Sequence, residues 1–196
     1  MAQDLFKNGW DVLILEEADT KVFFEPEDTI ASELSSKWRN GGITAAFGKP
    51  IVPYGEGKSL GGGSAINTAI WQKPSEIVIE KWSSHWKIDN FDVDKFGSYF
   101  DKASSLLKPS PVKKLGPDSS PLTQGCEKLG WSYEHLPIAA VQLQLNEGST
   151  YKRQSVFDKL IKPNLGKHLK VQTNTKVLKI IIKNNTVIGA DVRYQE

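Results

Sequence analysis

One cysteine, Cys126, is all the thiol this chain has, so it can close no disulfide within itself and build no cysteine-based metal site. That scarcity suits a reducing compartment, and in the stretch PLTQGCEKLG the residue reads as a small helical hydrophobe rather than a nucleophile. Long apolar runs are missing too. No stretch approaches the roughly 20 apolar residues that span a bilayer, and the opening MAQDLFKNGW has no apolar signal core, so a cytoplasmic chain without a membrane span is expected. Neither sign of charge is in excess: 25 Lys plus Arg against 23 Asp plus Glu leave a formal net charge of +2. Both signs are scattered, and the densest basic run, Lys167 to Lys170, reads as a solvated turn, so no nucleic-acid partner is expected. Histidine is sparse as well. His85 lies among aromatic residues, His135 in a loop before Pro137 and His168 beside lysines, none with a base, acid or metal ligand at a telling spacing. No catalytic residue and no metal site is assigned.

What is present is the composition of a folding chain. The apolar share of 39% and the aromatic share of 10%, with six Trp in 196 residues, are those of a globular protein able to bury a core. Asp11 to Leu15 is an apolar run without alternation, which suits a strand buried on both faces of a parallel sheet and delivers Glu16 at its carboxyl end. Thr29 to Gly42 is mixed and polar and reads as ending in a loop. SEIVIEKW and FDVDKFGSYFDKASSLL carry helical periodicity, and the cluster KPSPVKKLGPDSSP separates them from a short helix around residues 122 to 129. Tyr151 to Ile161 reads as a helix stopped at Pro163, and Leu169 to Gln172 as a short strand. KVLKIIIKNNTVIGADVRY is two strand-like runs about Asn184-Asn185, residues that tolerate the positive φ of a tight turn. The fold class is α/β, with a terminal β-hairpin.

The stretch GEGKSLGGGSAINTAIW carries the chemistry. Gly57-Lys58-Ser59 is how a triphosphate loop ends, but that template needs a glycine at position 52, which is Val52. It also needs a helix to open at the Lys-Ser pair, and each of Gly61, Gly62 and Gly63 would cost such a helix about 1 kcal/mol. The glycines suit a loop whose backbone comes close to a ligand, with Ser64 capping a helix through Trp71 that ends at Pro74, its free N–H groups facing a diphosphate. A flexible connector is the alternative.

The run from Gly57 to Asn67, followed by Trp71 and Pro74, resembles the first signature of the glucose–methanol–choline (GMC) flavoprotein oxidoreductases. VLILEEA is similar to that family's second Rossmann strand, the segment from Glu80 to Leu107 to the stretch after the signature, and the closing hairpin to a later one. The resemblance implies a partial Rossmann-like FAD-binding domain, with residues 1–107 as its core around the signature loop 57–74, residues 108–147 as a connecting or substrate-side segment, and residues 148–196 returning to it. It implies that Glu16 accepts hydrogen bonds from the adenosine ribose and that Val177 meets the adenine through its backbone. Lys58, Leu60, Gly61, Gly62, Gly63, Ser64 and Asn67 complete the implied cofactor set, and Trp71 is either a flavin neighbour or core packing. Glu17 should matter less than Glu16, since successive strand residues point to opposite sides.

Ile66 stands where some members carry the histidine that attaches FAD, so the flavin is expected to be non-covalent. Counting back about 20 residues from Glu16 passes Met1, so the G-x-G-x-x-G turn is not in the sequence. The family's catalytic histidine lies near the C-terminus of its members, and the expectation is therefore an internal fragment, truncated at both ends. The implied reaction of the whole protein is oxidation of a small-molecule alcohol by hydride transfer to flavin N5, with choline, sterols, long-chain alcohols and sugars all open as substrates. A non-catalytic remnant or nucleotide-binding module is the competing reading, and a triphosphate hydrolase a remote one.

Overall fold

The computed structural model describes residues 1–19, 29–86, 88, 91–112, 119–145 and 148–194, so part of the proline-rich cluster, residues 113–118, lies outside the described residues. The chain divides into two compact units, Met1–Asn67 with Ser155–Glu196, and Thr68–Gln154.

The first unit is built on a parallel pair. The strand Val12–Leu15 runs beside Leu169–Gln172, with Val12 opposite Leu169 and Leu15 opposite Gln172. Val12, Ile14 and Val171 face a small core of Leu60, Phe157, Ile161 and Leu169, which the short helix Ala2–Lys7 joins through Ala2 and Phe6. Leu13, on the other face, is 56% exposed. The strand expected to be buried on both faces is partly buried on one, because among the described residues its apolar cover lies on that side. The hairpin forms as expected: Thr175–Lys183 pairs antiparallel with Thr186–Tyr194, and Asn184 and Asn185 take φ values of 49° and 59° in the turn.

One stretch of this unit is more ordered than the sequence suggests and one expected helix fails, both for local reasons. The polar stretch after Thr29 is a helix, Ile30–Lys37, started by a capping box in which the Thr29 hydroxyl accepts from the Ser32 N–H at 3.1 Å and the Ser32 hydroxyl accepts from the Thr29 N–H at 3.2 Å. The helix expected from Ser64 through Trp71 is absent. A single 3-10 turn, Gly62–Ala65, stands there, entered through Gly61 at φ 96° and Gly62 at φ 52°, values that leave the right-handed helical region.

Among its described residues the second unit, Thr68–Gln154, holds three helices, Glu76–Ser84, Val93–Leu107 and Ser119–Leu129. Asp92 caps the longest, its carboxylate accepting from the Lys95 N–H at 3.0 Å. Trp82 meets Phe91 and Phe96 edge-on at 5.9 and 5.8 Å. Trp71 packs on Phe100 at 5.3 Å and donates from Nε1 to the Ser104 hydroxyl at 2.8 Å, so core packing accounts for it. The helix expected over Tyr151 to Ile161 is split: Gly148–Arg153 is a strand paired with Ala140–Leu145, and only Phe157–Ile161 coils, after the Ser155 hydroxyl accepts from the Asp158 N–H at 3.1 Å. Cross-strand pairing takes the first half of the segment from the helix its periodicity suggested.

Candidate functional site

Glu16 follows the first strand directly. Its N–H donates to the Gln172 carbonyl at 2.9 Å and its own carbonyl accepts from the Thr175 N–H at 2.8 Å, which fixes the strand end against the start of the hairpin. Its carboxylate accepts from the Ala18 N–H at 2.9 Å. Burial pushes the Glu16 carboxyl above the usual carboxylate range; the Ala18 N–H opposes that rise, and the adjacent Glu17 charge adds to it. Val177 lies two residues beyond Thr175 on the same hairpin strand, opposite Val192 and partly exposed.

Glu17 is better enclosed than the sequence implies, with its side chain 15% exposed. Arg39 Nη1 reaches it at 3.1 Å, Lys176 Nζ at 3.5 Å and Lys58 Nζ at 3.8 Å. Burial alone would raise its pKa, but the Arg39 hydrogen bond and the charges of Arg39, Lys176 and Lys58 together outweigh that and hold the carboxyl below its ordinary range. Arg39 also places Nε 2.5 Å from the Glu56 carboxylate. The backbone repeats the link, since the Arg39 N–H donates to the Glu56 carbonyl and the Lys58 N–H to the Lys37 carbonyl, both at 2.8 Å. These ties bring the start of the glycine loop to the acidic end of the first strand.

The loop is a tight knot. A Cβ on Gly57 would lie 2.4 Å from the Gly62 carbonyl oxygen and 2.8 Å from the Gly63 nitrogen, so the chain passes over itself where only glycine fits. Leu60 is in the core, and Ser59 beneath it is fully buried with no hydrogen-bond partner for its hydroxyl among the described residues. The amides expected to face an anion are spent inside the loop: Gly62 N–H on Ser59, Ser64 N–H on Gly61, and Ile66 and Asn67 N–H on Gly63. Ser64, expected as a helix cap, instead donates to the Gly61 carbonyl at 2.6 Å and accepts from the Val156 N–H at 2.9 Å. Gly62 and Gly63 present an open side, with nothing within 4 Å of where a Cβ would stand.

The structure therefore joins Glu16, Lys58 and the hairpin strand that carries Val177 through Glu17, and it puts Leu60 to work as packing. It also places beside Glu17 three residues that the sequence did not single out, Arg39, Lys176 and, through Arg39, Glu56. The paired acids at 16 and 17 were the only signal for them, because the partner cations lie far along the chain. The histidines stay apart in role: His168 Nδ1 meets Asp11 at 2.5 Å, while His85 rests edge-on against Trp86 and His135 stacks on Tyr133. Among the described residues no group of His, Cys, Asp and Glu could hold a metal ion, and no helix is long and apolar enough to cross a membrane.

A family model described as GMC oxidoreductase matches residues 37–196. A GMC-type oxidoreductase of Sinorhizobium fredii, itself uncharacterized, is 34% identical over 140 residues, covering 69% of this chain and 27% of that protein. Another from Mycobacterium tuberculosis is 29% identical over 140 residues, covering 70% and 22%. A long-chain-alcohol oxidase of Arabidopsis thaliana is 29% identical over 141 residues, covering 69% and 18%. The chain thus spans about a quarter or less of the length of the relatives it matches.

Proposed function

The chain belongs to the GMC oxidoreductase family, the N-terminal part of which implies a flavin, and from that premise we propose that it supplies the FAD-binding portion of an alcohol-oxidising flavoprotein. In this reading residues 1–107 and 148–196 are a Rossmann-like FAD-binding domain and residues 108–147 a connecting or substrate-side segment. The observation that carries it is the joining of the glycine loop to the acidic end of a parallel strand, with Lys58 on Glu17 at 3.8 Å. That is the arrangement a dinucleotide needs, an acceptor for ribose hydroxyls and a close-approach backbone on one support.

The residues present fit the group in two respects. Glu16 offers a partly exposed carboxylate, and the open side of Gly62 and Gly63 leaves room for a ligand where any side chain would intrude. FAD, when bound, accepts a hydride from the carbon of a CH–OH donor, and the protein's part is positioning and electrostatics. Glu16 would orient the adenosine half by accepting from the ribose hydroxyls, and Val177 would meet the adenine through its backbone. Gly61, Gly62, Gly63 and Asn67 would border the diphosphate and flavin. Lys58 is occupied by Glu17, so its part is to hold the loop in place; Ser64, with both of its hydrogen bonds inside the unit, braces the turn. The flavin is held non-covalently because Ile66 has no nucleophilic nitrogen, and the lone Cys126 accords with a cytoplasmic setting.

The likeness to long-chain-alcohol oxidases supports a long-chain alcohol among the candidate substrates of the whole protein. The test is flavin content: the chain extended to the length of its relatives should be purified with FAD, show the visible flavin absorption, and bleach when an alcohol substrate is added without oxygen. A protein that carries no flavin and gains none on reconstitution would favour the competing reading of a remnant without cofactor.

A further inference from the structure

The Glu17 carboxylate sits where four segments of the first unit meet: the strand end at Glu16, the turn after the helix Ile30–Lys37 at Arg39, the loop start at Lys58 and the hairpin start at Lys176. Each of the last three sends a cation to this one acid, and no two of the four are neighbours in sequence. With its side chain 15% exposed, the acid is only weakly screened by salt, whereas its cationic partners remain 30 to 40% exposed. Arg39 adds a constraint that lysine cannot supply, since its planar fork meets Glu17 through Nη1 and Glu56 through Nε at once. Removing the Glu17 charge would leave three cations crowded together without their common anion, and the mutual repulsion would open the point at which the segments join.

We infer that Glu17 is a positioning residue for cofactor binding, the hub that fixes the Glu16 carboxylate relative to the glycine loop and the hairpin. This rests on the reading of Glu16 as the ribose acceptor, and it puts Glu17 level with Glu16, where strand alternation ranks it lower. Glu16 does the contacting; Glu17 sets where Glu16 stands. The Glu16 backbone is bonded on both sides, to Gln172 and Thr175, so a shift of the hub moves the contact residue with it.

Amide hydrogen exchange on the 196-residue chain tests the coupling, and FAD titration of the chain extended to the length of its relatives tests the consequence. In Glu17→Gln the amides of Ala18, Arg39, Lys58 and Thr175 should exchange about tenfold faster, while those of the helix Val93–Leu107 stay unchanged. Glu17→Asp should restore part of the protection. Arg39→Lys should reproduce the loss, because one ammonium cannot bridge both acids. In the longer protein Glu17→Gln should raise the FAD dissociation constant about tenfold, a penalty of the size that Glu16→Gln gives directly. Unchanged exchange at those four amides, or an equal rise in the helix Val93–Leu107, would overturn the hub. Faster exchange with unaltered FAD affinity, while Glu16→Gln weakens it, would overturn the positioning role and leave the ribose assignment standing. If neither substitution alters FAD affinity, the ribose assignment falls and the cofactor role of Glu17 with it, and the exchange rates alone then decide whether Glu17 couples the segments.

Discussion

Replacing Gly57 with Ala should be among the most damaging single-methyl changes in the chain. The new Cβ would stand 2.4 Å from the Gly62 oxygen, 2.5 Å from the Gly62 carbonyl carbon and 2.8 Å from the Gly63 nitrogen, all backbone atoms. Ordinary contact begins at 3.4 Å, so one strand of the knot must retreat by about 1 Å. It cannot retreat freely, because Gly62 N–H is bonded to Ser59, Leu60 is anchored in the core and Lys58 is tied to Lys37. Overpacking costs about 1 to 3 kcal/mol, and displacement of bonded backbone puts this case at the top, about 3 kcal/mol. In urea unfolding with a slope near 2 kcal/mol/M, that is a fall in midpoint of about 1.5 M. Gly63→Ala is the internal control: nothing lies within 4 Å of its Cβ position and its φ is not left-handed, so it should change stability by about 0.5 kcal/mol or less. Gly62→Ala, open but at φ 52°, should fall between them at about 1 kcal/mol. If Gly57→Ala and Gly63→Ala unfold at the same midpoint, the close backbone approach is not a feature of the molecule in solution.

The two adjacent acids should respond to pH with opposite signs. The folded pKa of Glu16 is raised, so its ionisation opposes folding once the pH exceeds its unfolded value of about 4.3, and Glu16→Gln should be more stable than the parent at pH 7, with the gap closing toward pH 4. The folded pKa of Glu17 is lowered, so its contribution is present above about pH 4.3 and fades as the pH falls; Glu17→Gln should be less stable at pH 7 and converge with the parent in acid. Urea midpoints measured from pH 3 to 7 decide this, and parallel curves for the two variants would refute it. In the chain extended to the length of its relatives, Glu16→Ala should weaken FAD binding by about 1.5 to 3 kcal/mol, read by flavin titration, with no loss counting against the ribose assignment. Acid precipitation of the same protein should release the flavin to the supernatant, and flavin retained in the pellet would contradict non-covalent attachment. The 196-residue chain by itself should oxidise no alcohol, and alcohol-dependent bleaching of added FAD would send the search for a base back to His85, His135 and His168.

Features set by neighbours in sequence were legible without coordinates. The Asn184-Asn185 turn, the apolar run after Asp11 and the periodic faces of Val93–Leu107 all declare themselves within a few residues. The capping box at Thr29 was equally local but sits on a polar eight-residue helix whose apolar face is too thin for periodicity to register. Ser64 misled because a serine before an apolar run is a fair cap signal, while its hydroxyl is claimed from 92 residues away by the Val156 N–H. The partners of Glu17 were hidden for the same reason: strand alternation speaks only of adjacent positions, while its ion pairs are with Arg39, 22 residues on, and with Lys58 and Lys176 farther still. An ion pair between distant positions leaves no trace in local pattern.

The parallel pairing of Val12–Leu15 with Leu169–Gln172 also sets a timetable for synthesis. Asp11 and His168, which flank that pair, are separated by 157 residues, and at about 5 to 20 residues per second the first strand waits roughly 10 to 30 s on the ribosome for its partner to appear. Among the described residues its edge and the exposed Leu13 have no other strand to meet during that interval. The antiparallel pair Ala140–Leu145 and Gly148–Arg153, by contrast, can close almost as soon as it emerges. The segment Thr68–Gln154 therefore has time to fold while the unit that surrounds it in sequence is still open.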